Sequence, residues 1–288
     1  MRRFICVVTT LLLLFGAVSA QEKEKEPETA TDYVNRGVAR AKKGELDAAI
    51  ADYDRAIILS PGDAAPYTHR GAARGRKGDL VGALADFNMA ITLDPNNASA
   101  YYNRGLTLTK KGDDDGAIAD FNTAISLNPK EAAAYNGRAV IRSKRGDQAG
   151  AIADYDKILA LTPNAAEIYS NRGIARNALG DLDGAIADYG KAIELRPDYA
   201  YAYNNRGNTY GKKGDDDAAI ADFDKAISLV PNFAAAYANR GLAELSKGLE
   251  QEAEQDFRKA LEISGRLKSM IETESNKIRQ KRKARQQP

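Results

Sequence analysis

Seven glycines stand 34 residues apart along the chain: Gly44, Gly78, Gly112, Gly146, Gly180, Gly214 and Gly248. Nothing is inserted or deleted between them. A period of this length marks a supersecondary unit repeated in tandem, each copy too small to bury its own apolar face and completed by its neighbours. The chain is therefore read as an array rather than as a globular domain around one core.

Each unit is counted from position 1 at Ala30, Ala64, Ala98, Ala132, Ala166, Ala200 and Ala234. Position 4 is tyrosine throughout, from Tyr33 to Tyr237, and position 20 is alanine throughout, from Ala49 to Ala253. Position 8 is glycine except for Ala139, and position 27 is alanine except for Ile158. Position 24 carries a ring in every unit (Tyr53, Phe87, Phe121, Tyr155, Tyr189, Phe223, Phe257), and position 32 is proline except for Gly265. Positions 4, 8 and 11 share one face of a first helix, and 20, 24, 27 and 28 share one face of a second. Glycine at position 15 ends the first helix, because it adopts a left-handed C-terminal conformation at no steric cost. Proline at position 32 follows the second helix, which it cannot continue. Small residues at 8 and 20 let the pair approach closely. The ring at 24 fills the space between units, and isoleucine or leucine at 28 and 30 completes the core.

The spacing and these residues, in the third unit Tyr101, Gly105, Ala117, Phe121, Ala124 and Pro129, resemble the tetratricopeptide repeat. The resemblance covers residues 30–267. It implies an all-α fold, a right-handed superhelical solenoid of antiparallel helix pairs. Its concave groove, lined by the first helices, would hold a peptide or partner protein. It also implies a scaffold without chemistry of its own. Two departures stand out. Position 4 is tyrosine where the family often has tryptophan. Position 7 is arginine (Arg36, Arg70, Arg104, Arg138, Arg172, Arg206, Arg240) where the family usually has leucine. Beyond the seventh unit, Leu267, Met270, Ile271 and Ile278 recur at helical spacing. They predict a capping helix, so that 268–288 forms a C-terminal cap and basic tail.

The start of the chain follows different rules. Arg2 and Arg3 precede an apolar run from Phe4 to Phe15, and Val18-Ser19-Ala20 supplies small residues before a charged linker over 21–29. This is the three-part pattern of a secretory signal peptide, with cleavage expected after Ala20. The run is short for a bilayer span, which disfavours an uncleaved anchor. The expected location is periplasmic or secreted. The only cysteine, Cys6, lies in the leader, so the mature chain has no disulfide and depends on packing. Residues 21–288 hold 40 basic and 40 acidic side chains, but the tail from Arg266 onward carries +6 and the remainder −6.

Three sets of residues are candidates for function. An aspartate at position 23 (Asp52, Asp86, Asp120, Asp154, Asp188, Asp222, Asp256) accompanies every position-7 arginine. A half-buried arginine requires a partner, so a structural ladder of ion pairs is expected. Position 6 is asparagine in five units (Asn35, Asn103, Asn171, Asn205, Asn239), with His69 and Gly137 in the others. An amide both donates and accepts, so such a row can grip a peptide backbone in either sense. It resembles the asparagine ladder of repeat domains in certain glycosyltransferases of this family. The competing reading is that these amides bridge adjacent repeats. Tyr102 and Asn204 at position 5 and Asn208 at position 9 join the predicted groove. Lysine and arginine at position 13, such as Lys42, Arg76, Lys110, Lys144 and Lys212, are expected to complement helix ends. Third, Lys277, Arg279, Lys281, Arg282, Lys283 and Arg285 form a basic tail that would suit an anionic lipid or polyanion surface.

The aspartate runs Asp113-Asp114-Asp115 and Asp215-Asp216-Asp217 lack the alternating spacing of a calcium loop and fall where second helices begin, so capping is expected. One histidine excludes a histidine-based metal cluster, and no nucleophile or phosphate-loop motif is present. No cofactor, enzyme activity or nucleic-acid partner is expected. The expected partner is a protein or peptide.

Overall fold

A computed structural model describes residues 29–286. The expected leader and nearly all of the linker lie outside the described residues. Seven first helices, α1 (Ala30–Lys43), α3 (Ala64–Lys77), α5 (Ala98–Lys111), α7 (Ala132–Lys144), α9 (Ala166–Ala178), α11 (Ala200–Lys213) and α13 (Ala234–Lys247), alternate with seven second helices. These are α2 (Leu46–Leu59), α4 (Leu80–Leu93), α6 (Asp114–Leu127), α8 (Gln148–Leu161), α10 (Leu182–Leu195), α12 (Asp216–Leu229) and α14 (Glu250–Ile263). A 3₁₀ turn over Gly265–Leu267 leads into α15 (Lys268–Gln286). Each helix packs chiefly on its predecessor and successor, as a one-dimensional stack requires. No described helix is long and apolar enough to cross a membrane.

The turns are set by local chemistry. All seven position-15 glycines have φ between +82° and +90°, where a Cβ would be strained. At the next position Asp79, Asp113, Asp147, Asp181 and Asp215 each accept a hydrogen bond from the backbone N–H three residues on, capping the second helix. Both aspartate runs therefore begin with an N-cap. Asp114 and Asp115 then pair with Lys144 and Arg145, and Asp217 pairs with Lys247.

Packing explains the invariant small residues. The position-24 ring lies across the position-8 glycine of its own unit. A methyl group added at Gly37 would sit 2.6 Å from Tyr53 Cε1, and one at Gly105 would sit 2.9 Å from Phe121 Cε1. Ala49, Ala83, Ala117 and their equivalents are fully buried at the same crossing. Each buried ring contributes about 1.5–3 kcal/mol by removal from water. Position 28 completes the core as expected, but position 30 does not. Leu59, Leu93, Leu127 and Leu161 remain 36–54% exposed, because they end the second helix and no later element covers them.

The arginine–aspartate pairs are more than intra-unit contacts. Arg104 donates Nε and Nη2 to the two carboxylate oxygens of Asp120 at 2.8 and 2.7 Å, and the same two-pronged grip recurs in units 2 to 7. The third nitrogen, Nη1, crosses to position 25 of the preceding unit. Arg70, Arg172 and Arg240 reach Asp54, Asp156 and Asp224, while Arg104 and Arg138 reach Asn88 and Asn122. Each guanidinium also lies over the position-4 tyrosine, 5.4–5.6 Å from the ring centre. One residue thus binds its own hairpin together and stitches it to the last. At Gly190 the accepting side chain is missing opposite Arg206.

The predicted cap is present. Ile271 is buried, and Leu267, Met270 and Ile278 pack with it against Leu245, Phe257 and Ala260 of the last hairpin.

Candidate functional site

Successive first helices lie side by side and expose one stripe apiece. Positions 2, 6, 9 and 13 are separated by four, three and four residues, so they fall on a single helical face. Position 5 turns away from it. Thr68, Ser170, Asn204 and Ala238 are buried between adjacent first helices. The sequence reading placed positions 5 and 6 together in the groove, and the side-by-side packing separates them.

The individual candidates fall accordingly. Asn35 is exposed, and Asn103, Asn171, Asn205 and Asn239 are half-buried along the stripe. Asn103 returns its Nδ2 to Ser99 O at 2.8 Å. Asn239 Nδ2 donates to Asn204 Oδ1 at 3.0 Å, which makes that pair a bridge between repeats. Asn204 itself is only 6% exposed. His69 stacks on Tyr53 of the preceding unit at 5.7 Å, and burial holds its imidazole below the ordinary histidine value, hence neutral at pH 7. Tyr102 is half-buried against Phe121. Asn208 is exposed at the C-terminal end, where α15 closes the groove into a cavity of about 690 Å³ that Leu242, Ser246, Ile278 and Lys281 also line.

Two features mark the middle of the array, one inside it and one on the groove. Asn136 Oδ1 is buried without a hydrogen-bond partner. Its position-5 equivalent, Asn204, is bridged to the next unit, but Asn136 forms no such bridge to Asn171. Beside them, Val140 and Ile174 at position 9 are 49% and 45% exposed, and Leu106 continues the row. Gly137 lowers the floor between them: a methyl group there would meet Phe121 Cζ at 2.6 Å. This aliphatic row is evident from position 9 of the sequence, but which position is exposed depends on the helix–helix contacts. Tyr201 at position 2, 62% exposed and tilted against Phe233, extends the same surface.

The tail reads differently in three dimensions. Arg279 pairs with Glu250 and Glu254, and Arg282 pairs with Glu250 and donates to Leu245 O at the end of α13. Lys277 pairs with Glu274. Half of the six tail cations are thus engaged within the fold. Lys281 and Lys283 are exposed, and the side chain of Arg285 lies outside the described residues. Among the described residues no group of three or more His, Cys, Asp or Glu side chains is arranged to hold a metal ion.

Comparison with known proteins gives the stack its relatives. The family described as TPR repeat matches residues 37–78, 76–112 and 175–214. Matches described as tetratricopeptide repeat cover 98–131, 200–233 and 234–266. No curated protein matches the chain. Among solved structures, YrrB, described as a TPR protein with an unusual peptide-binding site, is 26% identical. The match covers 64% of this chain and 95% of YrrB with a TM-score of 0.59. The MamA protein is 32% identical over 60% of this chain and 94% of its own, with a TM-score of 0.54. A tetratricopeptide repeat protein from Parabacteroides merdae, 23% identical, covers 86% of this chain and 98% of its own at a TM-score of 0.60 and supports the fold alone. With its seven helix pairs, stripe-lined groove and family matches, the chain belongs to the tetratricopeptide repeat family, whose members are scaffolds that bind peptides or partner proteins.

Proposed function

We propose that the protein is a non-enzymatic scaffold that captures an extended peptide along the stripe of positions 2, 6 and 9. The observation that carries this reading is the stripe itself, where half-buried Asn171 and Asn205 at position 6 stand with exposed Val140 and Ile174 at position 9. These amides would hold peptide groups at about 0.5–1.5 kcal/mol each. The peptide-binding description of YrrB is consistent with this use of the fold.

The test is selection of a displayed random-peptide library on the chain. Peptides so captured are expected to lose at least tenfold in affinity for the Asn171→Ala, Asn205→Ala double variant, with its helical content unchanged. Affinity undiminished in that variant would rule the asparagines out as the grip.

The same reading puts the protein outside the cytoplasm. Its support is the pattern of Arg2-Arg3, the apolar Phe4–Phe15 and Val18-Ser19-Ala20. Terminal sequencing of the protein recovered from its host is expected to begin at Gln21, and a terminus at Met1 in a cytoplasmic fraction would refute export.

A further inference from the structure

Independently of the groove, we propose that Arg206 and Gly190 form a binding site for a carboxylate, carried by a small acid or by an aspartate or glutamate of a partner chain. The site lies between α10 and α11. Its residues occupy positions 25 and 7, neither of which belongs to the groove stripe.

The position-7 arginines from Arg70 to Arg240 each have a preceding unit to reach. All but one donate Nη1 to the position-25 side chain of that unit, at 2.5–2.8 Å: to Asp54, Asn88, Asn122, Asp156 and Asp224. Opposite Arg206, position 25 is Gly190. Arg206 keeps the rest of the arrangement. Its Nε and Nη2 each donate to Asp222 at 2.8 Å, and the ring centres of Tyr203 and Tyr210 lie 5.6 and 6.0 Å from its guanidinium. The group is thus fixed in plane and direction. Among the described residues its side chain hydrogen-bonds to Asp222 alone. A methyl group added at Gly190 would stand 3.8 Å from Nη1 and within 4 Å of no other side chain.

Neither α10 nor its packing calls for glycine at this place. Gly190 lies inside the helix, where glycine is a poor former. It is not among the glycines with positive φ, and no ring or backbone presses on it as Tyr53 presses on Gly37. What the glycine supplies is open space in front of an oriented donor. Acetate is the aspartate side chain as a separate molecule. A carboxylate entering beside Gly190 can therefore take the place that Asp54, Asp156 and Asp224 occupy in their own units, 2.5–2.6 Å from Nη1. Those three carboxylates are half-exposed, so the equivalent place on α10 is open to solvent. A hydrogen bond between a guanidinium and a carboxylate is charge-assisted and stronger than a neutral one. Asp222 and the two rings have already ordered the arginine, so little of its freedom is lost on binding. The incoming carboxylate would also restore the link between units 5 and 6 that Gly190 omits, and binding would stabilise the array.

The experiment follows the arginine Nε–H resonances of the full, nitrogen-15-labelled chain, with that of Arg206 identified by its loss in Arg206→Lys. Sodium acetate is titrated against sodium chloride at equal ionic strength. The Arg206 signal is expected to shift to saturation with acetate and not with chloride. Gly190→Asp places the chain's own carboxylate in the site. It is expected to weaken the acetate response by at least about tenfold, the worth of one charge-assisted hydrogen bond, and to raise the urea midpoint. Asp224→Gly is expected to bring the Arg240 signal into the same response, and it tests the geometry in a different unit, however Gly190→Asp folds. A capped Gly-Asp-Gly peptide separates the two sources. Tighter binding than acetate supports the side chain of a partner, and equal binding supports a small acid. A native chain that never saturates, an equal response to chloride, an undiminished response in Gly190→Asp, or an Asp224→Gly variant whose Arg240 stays silent would each overturn the site.

Discussion

Replacing Arg104 by alanine is expected to destabilise the array by about 3–5 kcal/mol, the cost of leaving a buried charge without its partner. The same change at Arg138 is expected to cost distinctly less. The difference lies at position 11. Asp154 is held by Arg138 and also by Arg142, whose Nη1 lies 2.9 Å from its second oxygen. Asp120 has no such reserve, because Leu108 stands at position 11 of that unit and Arg104 alone holds the carboxylate. Both aspartate side chains are at most 6% exposed, so water does not replace the lost guanidinium. The loss also removes the crossing to Asn88, and an array held by nearest-neighbour contacts is expected to come apart between units 2 and 3. Urea titrations followed by circular dichroism check the order of the two variants. The double variant Arg104→Leu, Asp120→Leu is expected to recover most of the loss, since an apolar pair of similar volume replaces a buried ion pair at little cost. Equal destabilisation by the two single variants would show that position 11 gives no second support.

Much of the architecture is written in the period. Helix pairs, left-handed glycine turns, aspartate N-caps and the terminal cap each follow from a residue type whose local chemistry allows little else. The two-pronged arginine–aspartate contact was legible for the same reason. What escaped the sequence depends on the angle at which one hairpin meets the next. A small rotation of the first helix decides whether position 5 or position 9 faces solvent, and it sends Asn204 into the interface and Ile174 into the groove. The crossing of Nη1 to position 25 was hidden likewise, because it joins residues 16 apart in different units. Part of the tail's charge is paired within the fold. Nothing local in Arg279 or Arg282 foretells that α15 folds back onto Glu250 and Glu254.

Stability of the last repeat is expected to fall as pH rises from about 4.5 to about 7, and Glu244 is the cause. Four units carry arginine at position 11 as a second support for the position-23 aspartate: Arg40, Arg74, Arg142 and Arg176. The seventh unit carries a carboxylate there instead. Glu244 is 12% exposed, its Oε2 has no hydrogen-bond partner, and Arg240 Nε approaches Oε1 only to 4.0 Å. Burial, and after it the Asp256 carboxylate, push the Glu244 carboxyl up to about 7 from an ordinary 4.5, with Glu252 and Asp224 adding to the rise and Arg240 opposing it. The sign follows from linkage. Below about 4.5 the group is protonated in folded and unfolded chains alike and imposes no penalty. Between there and about 7 the unfolded chain releases a proton that the folded chain retains, so stability declines; above about 7 the penalty is complete. Solvent screening at this partly open site reduces the effect to roughly 1–2 kcal/mol. The helix that feels it is α15, which docks on the next residue through Arg282 and Leu245 O. Hydrogen exchange of α13 to α15, corrected for intrinsic rates, is expected to quicken between pH 5 and pH 8 in the native chain. Glu244→Gln is expected to flatten that dependence. Glu244→Arg is expected to remove it and slow exchange at both values, because it gives Asp256 the second guanidinium that Asp52, Asp86, Asp154 and Asp188 already have. A native chain whose last repeat opens equally at both values would leave Glu244 without this role.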